Sequence, residues 1–352
     1  MNTALYYSPT FLEHDPGPDH PETPARLKSV INELSRSSIL KSGKCAYLQP
    51  KPAKREDVEL VHETEYIELV EKTSAAGGGF LDLGDTIVSP RSYAAATLAA
   101  GALIDAVNSV IHEKARNAFA LVRPPGHHAG AYYALGFCLF NNIAIGASHL
   151  INRLNYRRIL IIDVDSHHGN GTQETFYDTD KVLYISLHED SSGFPGTGFI
   201  DEIGEGRGLG YTVNIPFPFK TNDAIYQRAF DEIVSPIAHQ YMPQFILVSA
   251  GFDGHYTDPV GDLSLSMKTY DEIFAKIVAL ANQLCEGKLV ATLEGGYSLD
   301  FLGKMVTSAV ARMAHVSYRV DDSSPASHPR TIRKAEEIMN NVKRIQSSFW
   351  KL

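Results

Sequence analysis

The sequence predicts an α/β protein whose parallel sheet is covered by helices on both faces. The main evidence for this prediction is a set of eight short apolar runs, of the kind that form strands buried on both faces. Helical patterns lie between most of these runs, and strands that alternate with helices build parallel sheets. The sequence contains no linker, repeat or low-complexity tract, so a single large domain is predicted. The runs lie near residues 3–7, 45–49, 118–122, 159–163, 182–187, 211–215, 245–249 and 289–293.

The helical patterns and the end of the chain define the remaining elements. A stretch rich in Ser and Pro at 323–329 separates a last amphipathic helix, at 331–347, from the body. We therefore predict a main domain at 1–320 and a helical C-terminal extension at 321–352 that packs on it. The other helices are predicted at 24–36, 92–114, 140–154, 223–241, 267–286 and 299–315.

The composition restricts the classes of partner. The net charge is −9, with 44% hydrophobic and 21% charged residues, which argues against a surface that coats nucleic acid. No run approaches the ~18 uninterrupted apolar residues of a membrane span, and the N-terminus lacks the pattern of a secretion signal. Three widely spaced cysteines, Cys45, Cys138 and Cys285, are typical of a reducing compartment. We expect a cytoplasmic protein without a nucleic-acid or membrane partner, and a homo-oligomer is compatible with the sequence.

A metal site is predicted where the fourth apolar run ends. In the polar cluster that follows, Asp163, Asp165 and His167 are two residues apart, so their side chains share one face of an extended chain. Ligands bind at the carboxyl ends of strands in open parallel sheets. Two carboxylates and an imidazole that converge there need a cation to offset their repulsion and desolvation.

Polar, glycine-rich loops follow four other runs as well, at 123–130, 188–198, 250–255 and 294–297. Loops on a rigid scaffold commonly carry function, so one site assembled from these strand ends is predicted. Asp253, in the third of these loops, would complete with Asp165 and His167 a three-ligand set whose fourth position stays open, as in catalytic zinc sites. The same donors suit Fe(II) or Co(II). The alternative is that each Asp caps a helix or turn and that His167 is a hydrogen-bonded core residue.

Two adjacent histidines, His127 and His128, follow a Pro-Pro-Gly turn in the loop after the third run. Beside a metal site they suit a general base and an electrostatic partner. Each needs an acceptor on its second ring nitrogen, and Asp163 and Asn170 are available for that purpose. An Asp partner favours the charged imidazolium more than a neutral Asn does, so the Asn-paired histidine is freer to act as the base. The alternative is a purely structural pairing.

Three aromatic residues complete the predicted site. Tyr297 follows two glycines, so its loop can approach a ligand closely and its phenol can donate to a polarised carbonyl oxygen. Phe137 and Phe194 lie on separate loops of the same face, where they can wall a narrow slot for an apolar stem. For all three residues, ordinary packing is the alternative.

Six motifs occur along the chain: PPGHHA (124–129), GFCLFNN (136–142), DVDSHHGNGTQ (163–173), FPGTG (194–198), AGFD (250–253) and EGGY (294–297). Together they resemble the zinc-dependent histone deacetylase superfamily, which includes bacterial and archaeal deacetylase-like amidohydrolases and acetylpolyamine amidohydrolases. The segment HDPGPDHPETPARL at 14–27 also fits, so the resemblance spans roughly residues 5–320, and GNGTQ with Asn170 is similar to the class II branch. The resemblance implies an arginase-like single domain with a central eight-stranded parallel sheet flanked by helices.

The resemblance also implies roles for individual residues, listed here by group. The implied catalytic residues are His127 paired with Asp163 as the electrostatic histidine, His128 paired with Asn170 as the general base and acid, and Tyr297 as the oxyanion donor. The implied zinc ligands are Asp165, His167 and Asp253. The implied tunnel residues are Gly136, Phe137, Phe194 and Val260, with Arg26 near an inner acetate channel. Structural K⁺ or Na⁺ would bind Asp163, Asp165, His167, Ser186 and Leu187 at one site, and Phe176, Thr179, Val182 and Tyr211 at another.

Two departures from the family pattern bear on function. Ser166 replaces the more usual Val or Leu between the metal ligands, and we expect it to face away from the metal with little catalytic effect. Val260 stands where polyamine-selective relatives place a gatekeeper glutamate, which weakens an acetylpolyamine assignment without removing it. The resemblance thus implies a zinc-dependent deacetylase that hydrolyses N-acetyl-lysine in a protein or peptide. The alternatives are deacetylation of acetylpolyamines or other small N-acyl amines, and a non-catalytic protein that binds acyl-lysine.

Overall fold

The core of the protein is a sheet of eight parallel strands, described by a computed structural model that covers residues 1–82 and 84–352. All eight apolar runs form strands of this sheet, so the predicted fold class is confirmed. A separate antiparallel ribbon pairs β3 (Gly79–Phe80) with β4 (Ile87–Val88). The sheet strands are β1 (Thr3–Tyr6), β2 (Cys45–Leu48), β5 (Asn117–Ala120), β6 (Ile159–Asp163), β7 (Val182–Glu189), β8 (Thr212–Phe217), β9 (Phe245–Ala250) and β10 (Leu289–Leu293).

The strands whose ends carry the polar loops are neighbours in the sheet. The strand order is β2-β1-β5-β10-β9-β6-β7-β8, in which β5, β10, β9, β6 and β7 are contiguous. Because the strands are parallel, their carboxyl ends lie along one edge, and the five loops meet there. Strand β7 continues past the predicted end at 187, because His188 and Glu189 pair with Pro216 and Phe217 of β8.

Helices cover both faces, and the predicted helix 223–241 is continuous but contains one π-helical turn. This turn, Phe230–Val234, lies between α7 and α8 just before Pro236, which has no backbone N–H to donate. Helix α4 ends before 114, where Glu113 adopts a φ of 56°. The helices are α1 (Pro24–Arg36), α2 (Arg55–Val58), α3 (Thr64–Ala75), α4 (Ser92–Ile111), α5 (Asn142–Asn152), α6 (Asn170–Phe176), α7 (Asp223–Ala229), α8 (Ser235–Tyr241), α9 (Met267–Leu284), α10 (Leu299–Ala314) and α11 (Pro329–Gln346).

Helix α4 is apolar enough, with a mean hydropathy of 1.6 over its most apolar window, to match a membrane span in length and composition. In the fold, 72% of that window is buried. It packs against β5 and α5 beside the sheet. Helix α4 is therefore apolar because it is part of the hydrophobic core of the domain.

The C-terminal helix covers the edge of the sheet. Helix α11 packs against β8, the last strand in the order, and Gln346 donates to the carbonyl of Thr212 at 3.0 Å. Beyond the helix, the indole of Trp350 donates to the carbonyl of Gly210 at 2.9 Å and lies edge-on to the ring of Tyr211. An uncovered edge strand can pair with other chains, and this extension shields β8.

Candidate functional site

Four of the five loops line a cavity of about 320 Å³ at the carboxyl edge of the sheet, and the loop at 250–255 contributes no lining residue. Nine predicted site residues line it, so the structure brings together loops that lie far apart in sequence. Asp85, Pro125 and Gly295 also line the cavity, and the sequence reasoning assigned no role to them. The nine predicted residues are His127, His128, Gly136, Phe137, Asp165, His167, Phe194, Val260 and Tyr297.

The three predicted metal ligands form one cluster whose ligand atoms all lie within 4.8 Å of one another. Nδ1 of His167 is 3.1 Å from Asp253 Oδ2 and 3.4 Å from Asp165 Oδ1. A β-carbon at Gly251 would overlap the Asp165 carboxylate, and one at Gly295 would overlap that of Asp253. Both positions therefore require glycine so that the carboxylates can approach each other.

The electrostatics of this cluster fit a divalent cation. Burial and the neighbouring Asp165 raise the pKa of Asp253 to about 7, because two carboxylates in one buried site resist being charged together. Burial by itself lowers the pKa of His167, but Asp165 and Asp253 raise it well above its ordinary value. A positive charge is therefore stabilised at this position, and oxygen and nitrogen donors with one open side match zinc or a similar ion.

The two histidines have different partners and opposite shifts of pKa. His127 Nδ1 lies 3.1 Å from Asp163 Oδ2, and His128 Nδ1 lies 2.8 Å from Asn170 Oδ1. Burial opposes a charge on His127, but Asp165 and Asp163 raise its pKa to about 10. Burial, followed by the positive charges of His127 and His167, lowers the pKa of His128 well below its ordinary value. At neutral pH the first histidine is charged and the second is neutral.

Tyr297 is held by contacts on both sides of its loop. Its backbone N–H and that of Ser298 donate to one carboxylate oxygen of Asp258, at 2.7 and 3.0 Å. Gly296 adopts a φ of 115°, which favours glycine at that position. Burial raises the pKa of the Tyr297 phenol well above its ordinary value although Arg26 acts to lower it, so the hydroxyl is a donor at neutral pH.

Arg26 lies behind Tyr297 rather than in the cavity lining described above. Its guanidinium carbon is 4.6 Å from the centroid of the tyrosine ring, and it donates to the carbonyls of Gly296 and Glu294 at 2.6 and 2.5 Å. A fully buried ion pair with Glu22, at 2.8 Å, completes its contacts. These bonds hold the backbone of the loop that carries Tyr297. A role of Arg26 in an acetate channel stays a prediction.

Aromatic rings form the walls of the cavity. The Phe194 ring lies edge-on to His128, with centroids 5.0 Å apart, and the Phe137 ring lies edge-on to Tyr297 at 5.7 Å. Gly136 is packed against His128, since a β-carbon at position 136 would lie 2.5 Å from His128 Cδ2. Val260 is half-buried in the lining.

The residues predicted to bind monovalent cations lie in two regions. Asp163 of β6 is in register with Ser186 of β7, next to Leu187 and two residues before Asp165, a predicted metal ligand. In the second region, Thr179 donates to the carbonyl of Phe176 at 3.4 Å, in the turn that leads to β7. Val182 begins β7, and the carbonyl of Tyr211 accepts from the backbone of Tyr184 at 2.9 Å. Cation binding at either region stays a prediction.

Sequence reasoning missed three acidic residues that organise the site. Asp258 holds the Tyr297 loop, and Glu189 lies 3.8 Å from His167 Nε2. Glu294 accepts from the backbone N–H of Gly126 at 2.7 Å and so anchors the loop that carries both histidines. Glu189 and Glu294 stand within loops singled out above, and Asp258 lies three residues beyond one of them, but the sequence does not indicate which distant group each carboxylate contacts.

Comparison with known proteins places this site in context. The sequence model of the histone deacetylase domain matches residues 20–313. A probable deacetylase of Archaeoglobus fulgidus is 39% identical, and the match covers 100% of this chain and 99% of the relative. The human polyamine deacetylase HDAC10 is 36% identical over 366 residues, and the match covers 100% of this chain but only 53% of the relative. The crystal structure of an HDA15 HD domain superposes with a TM-score of 0.88 at 34% identity, covering 99% of this chain and 95% of that one.

Proposed function

The chain belongs to the histone deacetylase family, and on that premise we propose that it is a zinc-dependent amidohydrolase acting on N-acetyl-lysine in proteins or peptides. The reaction adds water across the amide and yields acetate and a free amine. One observation carries the proposal: two members of the three-ligand cluster, Asp165 and His167, line the same cavity as a neutral histidine and a protonated tyrosine. A protein that only binds acyl-lysine would not need all three.

The metal would be held by Asp165, His167 and Asp253, whose donor atoms lie within 4.8 Å of one another, and the first two of these residues line the cavity. A divalent ion bound there supplies Lewis-acid polarisation of the carbonyl and lowers the pKa of water. Zinc is the proposed ion, and Fe(II) or Co(II) satisfies the same donors. We further propose K⁺ or Na⁺ as structural ions, and a cytoplasmic location.

The chain's own residues would move the protons and stabilise the charge. His128, neutral at neutral pH and held by Asn170, accepts a proton from the attacking water and returns it to the leaving amine. The Tyr297 hydroxyl donates to the oxygen on which negative charge develops. The His127 ring centroid lies 4.0 Å from that of His128, and the positive charge of the His127 imidazolium stabilises the negative charge that develops on the substrate oxygen.

The shape of the cavity favours a slender substrate. Phe137 and Phe194 would hold the methylene stem of lysine, since both rings are cavity-lining and apolar. Val260 offers no carboxylate to a cationic polyamine. Acetylpolyamines are the second candidate, supported by the similarity to a polyamine deacetylase and by the carboxyl group of Asp85 in the lining.

Turnover of the zinc-loaded protein on acetyl-lysine peptides, trifluoroacetyl-lysine, acetylputrescine and acetylspermidine tests the proposal. We expect the lysine peptides to be preferred, because the half-buried Val260 presents an apolar surface to the substrate stem. Val260→Glu should raise the relative rate on the acetylpolyamines, since a carboxylate pairs with their ammonium groups. If the unaltered protein prefers the acetylpolyamines, acetylpolyamine deacetylation replaces acetyl-lysine deacetylation as the proposed function.

Tyr297→Phe is expected to lower kcat on an acetyl-lysine peptide by about 10²–10³-fold, because one oxyanion donor is removed. The ring contacts with Phe137 and Arg26 do not depend on the hydroxyl, so zinc content and melting temperature should stay unchanged. Tyr132→Phe, an exposed tyrosine on a neighbouring loop, is the matched control. Near-normal turnover of the Tyr297 variant would refute the assigned role.

Asn170→Asp is expected to move the acid limb of the kcat/KM profile to higher pH by about 1–3 units. The base must be neutral to accept a proton, and burial together with His127 and His167 lowers the pKa of His128, so the limb of the unaltered protein lies below 6.5. A carboxylate at position 170 favours the imidazolium and raises that pKa. Asn152→Asp, exposed at the end of α5, should leave the profile in place. An unchanged limb in Asn170→Asp would assign the base elsewhere.

A further inference from the structure

Glu189 is a buried carboxylate that the proposed mechanism does not use. It is the last residue of β7, with only 7% of its surface exposed. One carboxylate oxygen, Oε2, accepts from the Ser166 hydroxyl at 2.7 Å and from the backbone N–H of Asp262 at 2.6 Å. The other oxygen, Oε1, points to Nε2 of His167 at 3.8 Å.

The imidazole of His167 therefore lies between two carboxylates on one side and a single carboxylate on the other. Its Nδ1 faces Asp165 and Asp253, which are the other proposed ligands. Its Nε2 is on the opposite side of the ring and faces Glu189. Throughout residues 1–82 and 84–352, the hydrogen bonds found for the Glu189 carboxylate fall on Oε2, which leaves Oε1 available to the imidazole.

The bonds to Oε2 determine the direction of Oε1. Ser166 stands between the ligands Asp165 and His167 in the sequence and is fully buried. Its backbone carbonyl accepts a hydrogen bond from the Glu189 N–H at 2.8 Å. Two donors on the same oxygen hold the carboxylate in one orientation. The serine that departs from the family pattern thus faces away from the metal ligands and holds the glutamate instead.

We propose that Glu189 is a positioning residue of the metal site, whose carboxylate stabilises the Nε2–H of His167 electrostatically from 3.8 Å while Nδ1 binds the ion. This inference rests on the proposed metal site. A carboxylate on the second ring nitrogen selects the tautomer with a free lone pair on Nδ1 and makes that nitrogen a stronger donor. Ser166 contributes by keeping Oε1 in place.

The test is the zinc affinity of the full chain, measured by competition with a chromogenic chelator, for the unaltered protein, Glu189→Gln and Asp190→Asn. Glutamine keeps the length of the side chain and an oxygen for Ser166 and Asp262, but its amide presents N–H donors towards Nε2. We expect the zinc Kd to rise about 10–100-fold in Glu189→Gln. Asp190→Asn removes the same charge one residue further on, where the carboxylate contacts Ser192 and Lys334, and should change the Kd less than about twofold.

A second readout separates positioning from general destabilisation. The visible absorption of the Co²⁺-loaded protein reports the ligand field, so Glu189→Gln should shift its bands while Asp190→Asn leaves them unchanged. If Glu189→Gln fails to fold, Glu189→Asp is the substitute, because it keeps the charge but withdraws the carboxylate from His167, and its Kd should rise as well. A folded variant with unchanged Kd and spectrum would overturn this inference alone, whereas failure of the unaltered protein to bind zinc would overturn the proposed function with it.

Discussion

Asp253→Ala is expected to lower turnover on an acetyl-lysine peptide by more than about 10³-fold and to remove stoichiometric zinc. The Asp253 carboxylate is one of three donors within 4.8 Å of one another, and two donors do not hold an ion against dilution. A bound metal contributes several kcal/mol to stabilisation of the charged transition state, and about 1.4 kcal/mol corresponds to tenfold in rate. Turnover and metal content after gel filtration measure both effects.

The control for this prediction is Asp321→Ala, which removes a carboxylate whose side chain is 83% exposed and paired only with Arg319 in the described contacts. Zinc should raise the melting temperature of the control and of the unaltered protein but not that of Asp253→Ala, because a ligand stabilises only a fold that binds it. Retention of turnover in metal-free Asp253→Ala would contradict a metal-dependent mechanism.

His128→Ala is expected to lower kcat by about 10²–10⁴-fold with zinc still bound. The side chain is not among the three ligands, and its Nδ1 is held by Asn170 at 2.8 Å, which leaves Nε2 to exchange protons in the cavity. Because the loss concerns proton transfer, kcat should fall far more than KM changes. Steady-state kinetics on an acetyl-lysine peptide, with zinc content measured in parallel, gives both quantities.

The matched control for that variant is His239→Ala, which removes an exposed histidine in α8. It should leave kcat unchanged. A loss of zinc in His128→Ala would mean that the lower kcat results from a damaged metal site. A change in kcat below about threefold would exclude His128 as the base. Comparison with Asn170→Asp then separates the effect of removing the base from the effect of changing its pKa.

Local patterns in the sequence predicted much of the fold. Eight apolar runs became eight parallel strands, because a strand buried on both faces needs a continuous apolar run whatever its neighbours are. Asp165 and His167 also lie in one cluster, as predicted, but both follow the end of β6 at Asp163, so the bend after the strand places them rather than the period of two along a strand. The π-helical turn at Phe230–Val234 and the extension of β7 to Glu189 were not predicted, since the first depends on backbone hydrogen bonds and the second on pairing with β8.

The sequence by itself determined the fold class, the residue types of the site and the loops that carry them. The tertiary structure decided which atoms face one another. It paired His128 with Asn170, 42 positions away, and directed Glu189 to His167 and Asp258 to the Tyr297 loop. It also decided the charge states, because burial and nearby charges raise the pKa of His127 to about 10 and lower that of its neighbour. The physical reason is range: periodicity acts between residues close in sequence, whereas desolvation and hydrogen bonding depend on distances that exist only after the strands have assembled.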